Sequence, residues 1–189
     1  MKNRRCRQYI ILWLNVNLYL CKRYNKAMKI ILRPLKFEDW HYFAKWWHDP
    51  ELISMTSGNP EKFSDKAIQK QVQEMVNDSK AHHWLIEIAD QVVGHINLCQ
   101  MTKSKAELQI VIGEKEYWGQ GIGKEAIELV LANAKKLNYK EIYIEVRPEN
   151  LRARKLYKSA GFTEKGIKKY RNKYLPEVVT MTKNFTALS

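Results

Sequence analysis

The chain is poor in cysteine, glycine and proline, with three, eight and five in 189 residues. Cys6, Cys21 and Cys99 form no CxxC pair, so neither a disulfide framework nor a redox dithiol is expected. With no repeat and no Ser- or Gly-rich stretch, low complexity and a linker between domains are excluded. The five histidines include His82-His83 but no HExxH spacing, so no metal is expected. No Ser-His-Asp or Cys-His arrangement is brought together by the pattern of elements below. The apolar run Tyr9 to Leu20 is 12 residues long and broken by Asn15 and Asn17. A membrane span needs about 20. The run follows a basic start, as a secretory signal would, but no A-x-A-like site follows it, and Leu20 rather than a small residue precedes Cys21. An interfacial anchor is one reading of residues 1–27. The reading adopted is an extension upstream of the domain, outside the natural product if translation starts at Met28. No membrane partner and a cytoplasmic location are the resulting expectations.

Acid is also missing from that segment. Residues 1–27 carry seven Lys and Arg and no Asp or Glu, so +7 of the net +13 lies there. Residues 28–189 hold the remaining +6, a moderately basic body able to attract nucleic acid or a small polyanion. A content of 45% hydrophobic and 28% charged residues is that of one globular domain with a real core.

Lys29–Pro34 reads as a strand. Trp40, Phe43, Ala44 and Trp47 recur at three and four, predicting a helix over Phe37–Trp47. Ser64 caps a second helix with the stripe Ile68, Val72, Met75 and Val76, and Phe63 stands where a hydrophobic staple would begin. Period-two alternation then predicts a hairpin, Trp84–Ala89 and Val92–Leu98, turning at Asp90-Gln91. Glu107–Ile112 is a further strand. A helix over Gly121–Leu137 buries Ile122, Ala126, Val130, Ala134 and Leu137. Ile142–Val146 is a strand. Asn150 caps a helix with Ala153, Leu156, Tyr157 and Ala160 inward and Gly161 as its left-handed stop. Strands from Phe162 and over Glu177–Lys183 close the chain. The order predicts an α/β (α+β) domain over residues 28–189. Its mixed, mostly antiparallel sheet has about seven strands flanked by helices, antiparallel strands coming first and a βαβ unit after.

The chemistry concentrates in Ile110–Ala126. A strand leads into Gly119, Gly121 and Gly123, and the turn opens a helix. Glycines let backbone N–H groups converge, and the helix N-terminus adds partial positive charge, which together make an anion cradle. A Walker A loop is excluded because Trp118 stands at its first glycine and Glu125 at its Ser/Thr. Gly121-x-Gly123-x-x-Ala126 fits a dinucleotide fingerprint, with Glu141 and Glu145 about 20 residues on. Yet eight residues separate Ile112 from Gly121, and only 43 follow Val146, too few for a doubly wound sheet.

The stretch Trp118-Gly-Gln-Gly121-Ile-Gly123 resembles the acetyl-CoA loop of the GNAT N-acetyltransferases, (Arg/Gln)-x-x-Gly-x-(Gly/Ala), with Trp118 at the departing position. Asn150-Leu-Arg-Ala153-Arg-Lys-Leu156-Tyr157-Lys-Ser-Ala-Gly161-Phe162 resembles their NxxAxxLYxxxGF helix at every fixed position. Trp118, Leu32-Arg33-Pro34-Leu35 and Val93-Gly94 are similar to the branch of ribosomal-protein N-terminal acetyltransferases. The resemblance covers roughly residues 29–185. It implies a sheet splayed beside the strand that carries Ile110, Val111 and Ile112, whose backbone would hold pantetheine. The amides of Trp118, Gly119, Gln120, Gly121, Ile122, Gly123 and Lys124 would take the pyrophosphate, with Asn150 reaching the pantetheine or ordering its own helix. Tyr157 would be the general acid and Glu107 the base acting through water, with Glu87 and Glu145 as weaker candidates. Acetyl-CoA would be the acyl donor. The acceptor would be a peptide N-terminus, lysine, polyamine or aminoglycoside, on a monomer or homodimer. Trp40, Tyr42, Trp46, Trp47, Tyr170 and Tyr174 would shape its lobe, and Asp49 and Glu51 would add negative charge. Two rival expectations are a coenzyme-binding regulator without turnover and a basic nucleic-acid-binding module. The absence of a nucleic-acid motif disfavours the latter.

Overall fold

The computed structural model describes residues 29–59 and 61–185. The extension expected over residues 1–27 lies outside the described residues. Seven strands form one sheet: β1 Ile30–Pro34, β2 Ala81–Ile88, β3 Gln91–Gln100, β4 Lys105–Ile112, β5 Glu141–Val146, β6 Thr163–Lys169 and β7 Glu177–Asn184. The helices are α1 Trp40–Trp47, α2 Pro50–Met55, α3 Asp65–Asn77, α4 Ile122–Lys136 and α5 Leu151–Ser159, with 3-10 turns at Phe37–Asp39 and Lys115–Tyr117. The sheet order is β1-β2-β3-β4-β5-β7-β6, and β4–β5 is the parallel pair, joined through α4. The predicted mixed, mostly antiparallel sheet is thus observed.

Alternation along the strands sends side chains to two cores. On one face Ile86, Ile96, Leu98, Leu108 and Ile144 pack against Ala126, Ile127 and Val130 of α4. On the other, Leu85 and Val92 meet Phe43 and Trp46 of α1 and Ile68 and Val72 of α3. Each such Leu, Ile or Phe contributes about 1.5–3 kcal/mol through burial. Ser64 accepts the Ala67 N–H and Asn150 the Ala153 N–H, as their cap positions predict. Gly161 takes φ +86° as the left-handed stop.

Four local expectations change. α2 follows Trp47 directly: Asp49 accepts the Glu51 and Leu52 N–H groups and Pro50 fits the first turn, a start signal outweighed by the short, weakly periodic sequence. In α1 the fully buried tryptophan is Trp46 rather than Trp47, because its ring lies against Gly113 at the end of β4. Leu137 ends α4 exposed, since Asn138 turns left-handed and Tyr139 enters the core instead. The hairpin turns at Ala89-Asp90, both with positive φ, one residue earlier than Asp90-Gln91.

Candidate active site

β4 and β5 pair only from Lys105 to Glu107 against Glu141 to Tyr143. Beyond that point the strands part, and Leu108–Ile112 has no strand on its β5 side. Gly113 donates its N–H to Val93 of β3 at 2.9 Å. By alternation Val111 also turns its peptide to β3, while Ile110 and Ile112 turn theirs to the gap. Two of the three expected backbone positions therefore face the gap, and Val111 lines the adjoining cavity without offering its peptide there. The Trp118 indole N–H donates to the Ile112 carbonyl at 2.7 Å, and the Arg152 guanidinium lies 4.6 Å from the Trp118 ring centre.

Just past Trp118 the chain makes the expected cradle. Gly119 and Gly121 have φ +76° and +86°, a region L-residues avoid, and a Cβ at either would meet only open space. The Gly121 carbonyl accepts the Lys124 and Glu125 N–H groups and starts α4. The N–H groups of Gly119, Gln120, Gly121, Ile122 and Gly123 have no acceptor among the described residues. At Gly123 the reason for glycine differs: a Cβ would stand 3.1 Å from Leu156, so α4 and α5 approach closely there. The Lys124 ammonium stands 3.8 Å from Glu128, leaving its backbone N–H inside the first helical turn.

A cavity of about 760 Å³ fills the gap and spreads beneath α1–α3. Ile110, Ile112, Trp118, Leu156 and Tyr157 line one part of it. Tyr157 is buried and its hydroxyl has no hydrogen-bond partner among the described residues. Burial pushes its phenol well above the usual range, so it stays protonated at neutral pH. Asn150 also borders the cavity, yet both ends of its amide are engaged: Oδ1 caps Ala153 and Nδ2 donates to the Met55 carbonyl at 3.3 Å. With Arg147, which donates to the Tyr174 carbonyl at 2.9 Å, it pins the end of α2 over the site.

Glu107 lies on the floor of the cavity and accepts from the Gln109 side chain at 3.0 Å, which in turn accepts from Asn97. The other carboxylates suggested as bases are occupied. Glu87 is paired with Arg33 at 2.5 Å. Burial raises Glu145, but hydrogen bonds from Tyr170, Tyr143 and Lys168 outweigh it and hold its carboxyl below the usual range. Asp49 and Glu51 do not reach the cavity; both are bound by Lys115, at 2.8 and 2.7 Å. Trp47 lines the cavity, whereas Trp46 is core, and Trp40 and Tyr42 pack around that core.

Sequence reasoning missed the rest of this floor. His83 Nδ1 and His95 Nε2 are 3.1 Å apart, one donating to the other. Burial pushes the His95 imidazole down to about 3, and it lowers His83 too, so both are neutral at pH 7. Glu74 and Asp78 from the last turn of α3 add two carboxylates to the lining. The pair was hidden by register: a bulge beside Gly94 places His83 opposite Asn97 and diagonal to His95.

A parallel pair that splays beside an open glycine turn, with a buried phenol in the gap, is the arrangement that the resemblance of the two motifs implies. The chain belongs to the acetyltransferase (GNAT) domain family, whose model matches residues 29–163. It is 29% identical over 158 residues to uncharacterized protein MJ1062 of Methanocaldococcus jannaschii, which covers 79% of this chain and 32% of that protein. The chain thus spans about a third of that relative's length. It is 26% identical over 144 residues to spermidine N(1)-acetyltransferase of Escherichia coli strain K12, covering 74% of this chain and 76% of that enzyme. The fold is shared with the crystal structure of spermidine N-acetyltransferase from Vibrio cholerae in complex with CoA and spermine. Its TM-score is 0.72 at 24% identity, over 82% of this chain and 95% of that one. Among the described residues no helix is long and apolar enough to cross a membrane.

Proposed function

We propose that the chain transfers the acetyl group of acetyl-CoA to a primary amine of a small cationic acceptor of the polyamine class. One observation carries the reading: a single cavity joins the splayed strand and the Tyr157 phenol to a wall bearing Glu74, Asp78 and Glu107. The domain is basic, yet this wall is acidic, which suits an acceptor with more than one ammonium group. The relation to spermidine N(1)-acetyltransferase supports the same class.

The glycine-turn amides hold the pyrophosphate, and the Ile110 peptide and the Ile112 N–H hold the pantetheine arm. Glu107 takes a proton from the ammonium through water, because an amine of pKa about 10 attacks only when neutral. The amine nitrogen adds to the thioester carbonyl carbon, the C–S bond breaks, the leaving sulfur takes the Tyr157 hydroxyl proton, and the proton shed by the nitrogen as it becomes an amide returns through water to the phenolate. The resemblance of Trp118 and its loop to the ribosomal-protein branch supports a second reading, with a peptide N-terminus as acceptor.

The test is thiol release from acetyl-CoA with spermidine, spermine, aminoglycosides and peptides of varied N-termini. Turnover confined to polyamines is expected. Turnover with peptides alone selects the second reading. Acetyl-CoA binding without release on any amine would favour the regulator.

A further inference from the structure

Charge is segregated within the domain. Residues 147–173 carry ten Lys and Arg against Glu149 and Glu164, a net +8, whereas the rest of residues 28–189 nets −2. This stretch is the loop after β5, α5, the strand β6 that it leads into, and the start of the β6–β7 turn. β6 is an edge of the sheet, and all seven of its residues are exposed. Arg154 and Lys158 share Glu164, and Lys168 is bound to Glu145. Arg152, Lys155, Lys165, Lys169, Arg171 and Lys173 make no ion pair with a described residue. The coenzyme's phosphates account for Arg152 at most, through its place over Trp118.

The remaining cations are held on structured backbone. Tyr170 N–H closes the turn onto the Pro176 carbonyl at 2.7 Å, and Arg147 anchors the Tyr174 carbonyl. Arg171 and Lys173 are exposed and stand in the chain between two tyrosines, with Lys168 and Lys173 lying 4.6 and 4.5 Å from the Tyr170 and Tyr174 ring centres. Clustered like charges repel one another, and an approaching row of phosphates relieves that repulsion. A bilayer would also require an apolar face to insert, and among the described residues this lobe exposes only Leu151, Ile167 and the ring of Tyr170 as large apolar side chains. A nucleic acid requires only spaced cations, and aromatic rings among them add stacking.

We propose that the β6 edge and the 170–176 turn dock the phosphodiester backbone of a single-stranded nucleic acid. The experiment follows a fluorescein-labelled 20-nucleotide oligouridylate by anisotropy, with the full chain, across a salt series. The triple variant Lys169→Gln, Arg171→Gln, Lys173→Gln should weaken binding at least tenfold at low salt. It should also flatten the slope of log affinity against log salt by about 2, three contacts at about 0.7 each. Lys62→Gln, Lys66→Gln, Lys70→Gln removes the same charge near and on α3 and should change affinity less than twofold. Both variants should bind acetyl-CoA as the parent does, showing that they fold. Equal losses in the two triples, no binding by the parent, or tighter binding to phosphatidylserine vesicles than to the oligonucleotide would each overturn the proposal.

Discussion

Replacing Gly121 separates the two reasons for glycine in the turn proposed to hold the coenzyme. Its φ of +86° is one that most L-residues reach only at a cost of about 1–2 kcal/mol, and asparagine tolerates it best. A Cβ there meets nothing within 4 Å, so no packing is lost. Gly121→Asn thus tests backbone strain alone. It should lower Tm by about 2–4 °C per kcal/mol and weaken acetyl-CoA less than tenfold. Gly121→Asp adds one carboxylate of nearly the same shape. At ~5 Å from the pyrophosphate and an effective dielectric constant of ~20, each phosphate charge repels it by roughly 3 kcal/mol. If about half survives screening at this open surface, two charges together cost about 3 kcal/mol, or more than a hundredfold in affinity. Calorimetric titration with acetyl-CoA reads the difference between the two variants. Equal affinities for Asp and Asn would place the pyrophosphate elsewhere and refute the loop assignment.

Tyr157→Phe should lower kcat by about a hundredfold, with acetyl-CoA affinity within twofold of the parent; an unchanged kcat removes the phenol from the reaction. Asn150→Ala strips the α5 cap and frees the Met55 carbonyl, so Tm should fall by several degrees for a loss of about 1–2 kcal/mol. Loosening α2 over the cavity should also raise KM for the acceptor, and a fall in Tm with no change in KM would confine Asn150 to capping. Gly94→Ala sets a Cβ 2.4 Å from the Val111 carbonyl oxygen, a backbone atom that cannot swing aside, and should cost about 3 kcal/mol by thermal melts. His95 is neutral when folded down to about pH 3 but takes a proton near 6.5 when unfolded. Its contribution to stability is therefore intact above pH 6.5 and lost as pH falls from there toward 3, at no more than about 1.4 kcal/mol per unit. Urea melts from pH 7 to 4 should show that slope, and His95→Gln should flatten it.

The glycine turn and the α5 helix were legible because they are local. Gly119, Gly121 and Gly123 declare a turn at the mouth of a helix, and Asn150, Tyr157 and Gly161 mark the start, inner face and stop of the next. Each depends on neighbours within one turn of chain. The acceptor half depends on contacts across the sheet, where one residue of register decides which face a side chain joins. Reading the hairpin turn at Asp90-Gln91 and lacking the bulge beside Gly94, the sequence could not bring His83 to His95 or align Asn97 with Gln109. Trp46 was likewise readable as aromatic but not as the ring that covers Gly113, because that pairing spans 67 positions of chain.

The same division bears on function. In the proposed reading the groups that hold the donor lie on α4, α5 and the end of β4, whereas those that meet the acceptor come from the cavity lining on α1–α3 and the centre of β2–β4. Glu107 stands at the junction, on the last β4 residue paired with β5 before the strands part. A carboxylate one residue further along would point to the opposite face of the sheet, and one two residues further would lie beyond the pairing, where Gln109 now sits. If Glu107 is the base proposed above, the place where the parallel pair ends sets which β4 side chain can serve both substrates. Moving the carboxylate with Glu107→Gln and Gln109→Glu together should fail to restore a rate lost in Glu107→Gln alone. Restoration would show that the cavity needs negative charge there rather than a base at the splay point.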